Sequence, residues 1–161
     1  MLGKEKEVKV ILSKNQILFQ TEHSEISSRL IEGNFPDYER IIPKNEQATA
    51  SVSRSDLILA VKRAGIFARE IDNNNVRVGI EKEHISIATE ETEIGSGSTN
   101  VPANIDGEGT LMALNAQYYL DALQVISTEN VILKSGNSLA PLKISAENDD
   151  SFVHIIMPLK V

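Results

Sequence analysis

The feature that most constrains this sequence is an order of elements that occurs twice: strand, helix, three strands, then the same again. The first pass opens with a strand near 49–53 and a helix over 53–70, followed by strands at 76–80, 84–89 and 92–98. The second opens near 109–114, continues with a helix starting at Asn115, and ends with strands at 130–134, 139–146 and 152–157. In the first helix Leu57, Ala60, Val61, Ala64, Phe67 and Ala68 recur at the spacing of one helical face. Tyr119, Ala122, Leu123 and Ile126 do the same in the second. Ser53 or Ser55 and Asn115 are N-cap types at the two starts. Identity between the passes is low, so the repeat is one of pattern. It predicts an α+β fold of two halves, each a helix on a mainly antiparallel sheet.

Ahead of the repeat, 8–12 and 16–20 flank the turn residues Ser13-Lys14-Asn15, which predicts a hairpin, and 25–31 reads as a third strand. Gly33, Pro36 and Pro43 interrupt regular structure, and polar 43–47 is the expected linker. The expected division is therefore 1–43, the last strands of a preceding domain of similar build, and 44–161, one complete domain.

The sequence carries no constellation of residues suited to catalysis. There is no cysteine, which rules out a disulfide framework, a thiolate metal site and a cysteine nucleophile. His23, His84 and His154 share no ligand spacing, and no Gly-x-Ser-x-Gly elbow occurs. Gly95-Ser96-Gly97-Ser98 lacks the Lys-Ser/Thr of a phosphate loop and reads as a strand end. Glu90, Glu91 and Glu93, like Asp149 and Asp150, read as charged hairpin tips. No catalytic residue, metal or cofactor is expected. No apolar run reaches the ~20 residues of a membrane span. The first residues lack a signal-peptide core, so the expected setting is cytoplasmic.

The net charge is −7, yet 51–70 holds four basic residues against two acidic ones. At 100° per residue from Leu57, Lys62 falls near about 140°, Arg69 near about 120° and Arg63 near about 240°, all away from the apolar stripe. A plain solvated face accounts for this pattern, and so does a basic surface that touches phosphates without reading bases. Leu59 and Ile66 share that outer face, as contact residues would. The chain also stays apolar to its last residue, as a docked strand or the wall of a binding pocket would.

Ser28-Arg29-Leu30-Ile31-Glu32-Gly33-Asn34-Phe35-Pro36-Asp37-Tyr38-Glu39-Arg40-Ile41-Ile42-Pro43 resembles the joint between the second and third domains of the bacterial β sliding clamps, processivity subunits of DNA polymerase III. Leu114-Asn115-Ala116-Gln117-Tyr118-Tyr119-Leu120 resembles the start of the family's last helix, and Ile156-Met157-Pro158-Leu159-Lys160-Val161 its C-terminal tail. The resemblance covers nearly the whole chain. It implies the DNA-clamp fold, a fragment made of the end of the middle domain plus the third domain, and no enzymatic role.

It further implies a homodimeric ring around duplex DNA, with Lys62, Arg63 and Arg69 facing the phosphates and Ile66 and Phe67 at the ring-closing contact. A pocket would receive a Gln-Leu-x-Leu-Phe-like peptide from the replicative polymerase, the clamp loader and repair proteins. Its walls would be Pro36, Arg40 and Ile41 from the joint, Asn115 and Tyr118 from the helix, and Leu139 and Pro141 from a strand. Ile155, Ile156, Met157, Pro158, Leu159, Lys160 and Val161 would complete it from the tail. The competing reading is a generic α+β protein-interaction domain with no DNA role.

Overall fold

The computed structural model describes residues 7–35, 37–43, 45–68, 74–91 and 95–160. The expected site residues Pro36, Arg69 and Val161 lie outside the described residues. Two compact units divide between Asp37 and Tyr38, ahead of the break expected at Pro43. Tyr38–Arg40 form a single 3₁₀ turn in which Ile41 N–H donates to the Tyr38 carbonyl at 3.0 Å.

The first unit is an antiparallel meander of β1 (Lys9–Leu12), β2 (Gln16–Gln20) and β3 (Glu25–Arg29). None of its described strand residues is buried, since three short strands in one layer enclose no interior of their own.

The second unit realises the repeat. β4 (Ala48–Ser53), α1 (Arg54–Ala68), β5 (Asn75–Ile80), β6 (His84–Ala88) and β7 (Ser98–Gly107) form the first half. β8 (Thr110–Asn115), α2 (Ala116–Val125), β9 (Asn130–Ser135), β10 (Leu142–Ala146) and β11 (Asp149–Ile156) form the second. All the ladders are antiparallel, in the order β11-β10-β9-β4-β7-β6-β5-β8. The opening strands are exchanged: β4 pairs with β9 of the second half, and β8 pairs with β5 of the first. Each half is completed by a strand of the other, which makes one sheet and one core.

That core runs from Leu57, Val61 and Ala64 of α1 and Tyr119 and Leu123 of α2 to Val76, Ile87, Leu133 and Ile144 of the sheet. The helices pack side by side. Ser53 Oγ accepts from Asp56 N–H at the start of α1. Asn115 Oδ1 accepts from Gln117 N–H at 2.9 Å and Tyr118 N–H at 3.2 Å at the start of α2, so both caps are of the expected type. Arg54 reaches from the start of α1 to the Thr128 and Leu123 carbonyls, placing a cation at the end of α2.

Beyond shifted ends at β3, which stops at Arg29, and β11, which spans Asp149–Ile156, two strands differ from expectation. The third strand of the first half is Ser98–Gly107 rather than 92–98, of which 92–94 lie outside the described residues. Pro102 disguises it, since proline cannot supply a ladder hydrogen bond. Here none is needed: β7 pairs with β6 up to Pro102 and with β4 from Ala103 onward. Ala103 N–H donates to Glu83 on the β6 side, so position 102 turns toward β4 beyond the end of that ladder. The other difference is at 139–146, where the strand begins only at Leu142. Leu139 lies in the preceding turn, its N–H held by Asn137 Oδ1 at 3.0 Å.

Candidate functional site

The residues expected to wall a pocket are distributed over two neighbouring hollows that share the loop 136–141. Arg40, Ile41 and Pro141 line the larger, of about 770 Å³, together with Ile42, Pro43, Asn45, Gln47, Gly136, Asn137 and Ala140. Leu139 and Leu159 line the smaller, of about 300 Å³, with Arg77, Leu111, Met112, Ala113 and Ser138. The loop is held close because Gly136 lies against Ala140, whose N–H donates to the Asn137 carbonyl at 3.0 Å. The larger hollow is apolar on the Ile41, Ile42 and Pro141 side and has a guanidinium at Arg40.

Asn115 and Tyr118 line neither hollow. Asn115 Oδ1 is engaged in capping α2, while the Tyr118 ring is 61% exposed. In the tail, Ile156 is 3% exposed and belongs to the core, paired across the ladder with Leu142. Ile155 is half-buried in β11, Met157 and Lys160 are exposed, and Pro158 and Leu159 are half-buried. Leu159 N–H donates to the Ala113 carbonyl at 2.8 Å, which lays the tail along β8.

Sequence reasoning missed Arg77, Leu111 and the Gly136–Asn137 turn. Leu111 did carry a signal: alternation that puts Met112 and Leu114 in the core must turn Leu111 out of it. Arg77 carried none, because its place beside Leu139 and Leu159 depends on how β5, β8 and the tail come together. It is ion-paired with Glu90.

On the helical layer Lys62 and Arg63 are exposed, as is Ile66 at 62%. Phe67 is half-buried, its ring lying over Gly95 and Gly97 so closely that a Cβ at either position would come within 3.3 Å and 3.2 Å of it. Ile66 is thus the more available of the two for a contact. α2 carries no lysine or arginine, and its one charged side chain, Asp121, accepts from Gln117 Nε2 at 2.7 Å. Positive charge on this layer therefore sits on α1. Lys62 and Ile66 border a cleft of about 230 Å³ with Asn74 and Gln117.

At the β5–β6 turn Glu81 pairs with His84 at 3.4 Å. Among the described residues no three His, Cys, Asp or Glu side chains gather where a metal ion could be held. None of the described helices is long and apolar enough to cross a membrane.

Comparison with known proteins bears on this architecture directly. The beta sliding clamp of Staphylococcus epidermidis is 28% identical over 161 residues, 99% of this chain and 43% of that protein. The solved sliding clamp of Bacillus subtilis superposes with a TM-score of 0.84 at 29% identity, over 96% of this chain and 41% of its own. The DNA polymerase III beta subunit of Thermotoga maritima gives 0.82 at 25% identity, over 96% of this chain and 42% of its own. The chain spans less than half the length of these relatives. Residues 39–160 match the family described as DNA polymerase III beta subunit, C-terminal domain, and the chain belongs to that family.

Proposed function

We propose that this chain is part of a ring-shaped DNA sliding clamp that tethers the replicative polymerase to duplex DNA and docks partner proteins. In this reading 1–43 are the C-terminal part of the middle domain and 44–161 the third domain. The protein is an accessory subunit without catalysis of its own, acting in the cytoplasm as a homodimeric ring. The observation that carries the reading is the pairing of two helices on one continuous sheet, with Lys62 and Arg63 presented from α1, in a member of this family. Two cations touch phosphates weakly and without sequence preference, which suits a protein that must move along DNA. Retention then comes from ring closure rather than from contact strength. The clamp names of the relatives favour this over an interaction domain with no DNA role.

Partner docking is assigned to the hollow of Arg40, Ile41 and Pro141, with the exposed Tyr118 and the tail proposed as further contacts. Apolar walls suit the leucine and phenylalanine of a Gln-Leu-x-Leu-Phe-like peptide, and the guanidinium can take a backbone carbonyl or carboxylate. An NMR titration with such a peptide tests this. Shifts are expected at Ile41, Tyr118 and Leu159. A peptide that instead perturbs only the Lys62–Arg63 face would overturn the assignment.

A further inference from the structure

The two halves of the second unit each carry a hollow at the corresponding place, and the two hollows differ in charge. β4 pairs with β9 and β8 with β5, so in each half a hairpin turn lies beside the segment leading into the exchanged strand. At the β9–β10 turn this arrangement frames the hollow of Arg40, Ile41 and Pro141, where Gln47 N–H donates to the Ser135 carbonyl at 2.8 Å. At the β5–β6 turn it frames another hollow, of about 780 Å³. There Gly109 passes the Ile80 carbonyl so closely that a Cβ would come within 2.8 Å of its oxygen. The residues lining this hollow include none of those assigned to DNA contact, ring closure or partner docking.

Its apolar lining comes from Ile80, Ile105 and Leu111. Glu81, Lys82, Glu83 and His84 line it from the β5–β6 turn, and the exposed Asp106 and Glu108 flank Gly107 in the β7–β8 turn. With histidine neutral, the two turns carry four carboxylates against one ammonium. Glu81 lies 3.4 Å from His84, while among the described residues Glu83, Asp106 and Glu108 have no ion-pair partner. The lining of the other hollow has the Arg40 guanidinium and no acidic side chain. Carboxylates of one sign beside a low-dielectric apolar wall focus their field on whatever enters, and here that field attracts cations.

We propose that the hollow at the β5–β6 turn docks a basic, extended segment of a partner protein. One leucine-sized side chain of that segment packs against Ile80, Ile105 and Leu111, and flanking lysine or arginine residues pair with Glu81 and Glu83. Asp106 and Glu108 add attraction of the same sign at longer range. Exposed charge pairs contribute little each, so the apolar side chain fixes the position and the carboxylates select the sign of the partner. The internal repeat thus supplies two hollows of one construction with opposite charge preference. The assignment does not rest on the clamp reading.

The test titrates the capped pentapeptide Lys-Arg-Leu-Arg-Lys into the full chain at low salt, followed by NMR. Amide shifts are expected at 80–84 and 105–111, with Ile41 and Tyr118 unmoved. Replacing the leucine of the peptide with glycine should weaken binding about tenfold, and Glu81→Gln with Glu83→Lys in the protein about fivefold. The charge-reversed peptide Glu-Asp-Leu-Asp-Glu should leave the hollow unperturbed. A glycine peptide that binds as tightly as the leucine one would overturn the proposal, because attraction to acidic surface alone would then account for binding. Equal affinity for the doubly substituted chain would overturn it too, as would shifts confined to Ile41 and Tyr118, which point to the other hollow.

Discussion

Replacing Tyr119 with Phe should make this protein more stable and change how it responds to alkali. The Tyr119 side chain is fully buried under the sheet, and its hydroxyl has no hydrogen-bond partner. Burying such a group without a partner costs about 1–3 kcal/mol. Phe keeps the ring contacts and leaves only an oxygen-sized gap, so a net gain of about 1 kcal/mol is expected at pH 7. For a chain of this size that raises Tm by roughly 2–4 °C.

Burial also pushes the Tyr119 phenol far above its usual range, because the phenolate would lose its hydration. An acid whose folded-state pKa is raised contributes stability that is intact below the unfolded value. That stability is lost as pH climbs past about 10, where only the unfolded chain gives up the proton. The slope attributable to Tyr119 should approach about 1.4 kcal/mol per pH unit above pH 10, and it should vanish in Tyr119→Phe. Urea titrations at pH 7, 10 and 11 measure both effects, followed by far-UV circular dichroism because the chain has no tryptophan. A variant destabilised at pH 7 would mean that the hydroxyl makes a bond in solution. An alkaline slope identical in the two proteins would mean that the ring is not buried as described.

Two glycine-to-alanine changes should have opposite signs. Gly65→Ala should stabilise α1 by about 0.5–1 kcal/mol, since nothing lies within 4 Å of the added Cβ. Gly107→Ala should cost about 3 kcal/mol or more in a denaturant titration, because φ is +101° and the Cβ would sit 2.0 Å from the Gln47 carbonyl oxygen. Charge reversal at Lys62 and Arg63 together should weaken DNA binding and remove about 1.8 from the slope of log K against log salt. An unchanged slope would overturn the proposed DNA-facing role of Lys62 and Arg63.

Local patterning determined a good part of this protein before any tertiary contact is considered. The order of strands and helices follows from hydrophobic period, two for a pleated strand and 3.6 for a helix, and the period is written in neighbouring residues. The same rule correctly put Leu57, Ala60, Val61 and Ala64 inside and Lys62, Arg63 and Ile66 outside. The caps at Ser53 and Asn115 were legible because a cap needs only its own side chain and the next turn. β7 was hidden because Pro102 reads locally as a breaker, and only its position where β7 changes partner from β6 to β4 makes it tolerable.

The exchange of β4 and β8 between the halves could not be read at all. Pairings such as Ala50 with Leu133 and Val78 with Met112 join residues far apart in the chain, and sheet hydrogen bonds carry no side-chain signature of their partner. For the same reason only the folded structure placed Arg77 beside Leu139 and Leu159, took Ile156 into the core, and laid the tail along β8. Residue type and spacing set what each segment becomes. Which segments meet is settled by burying one shared core, a condition that exists only when the whole domain has assembled.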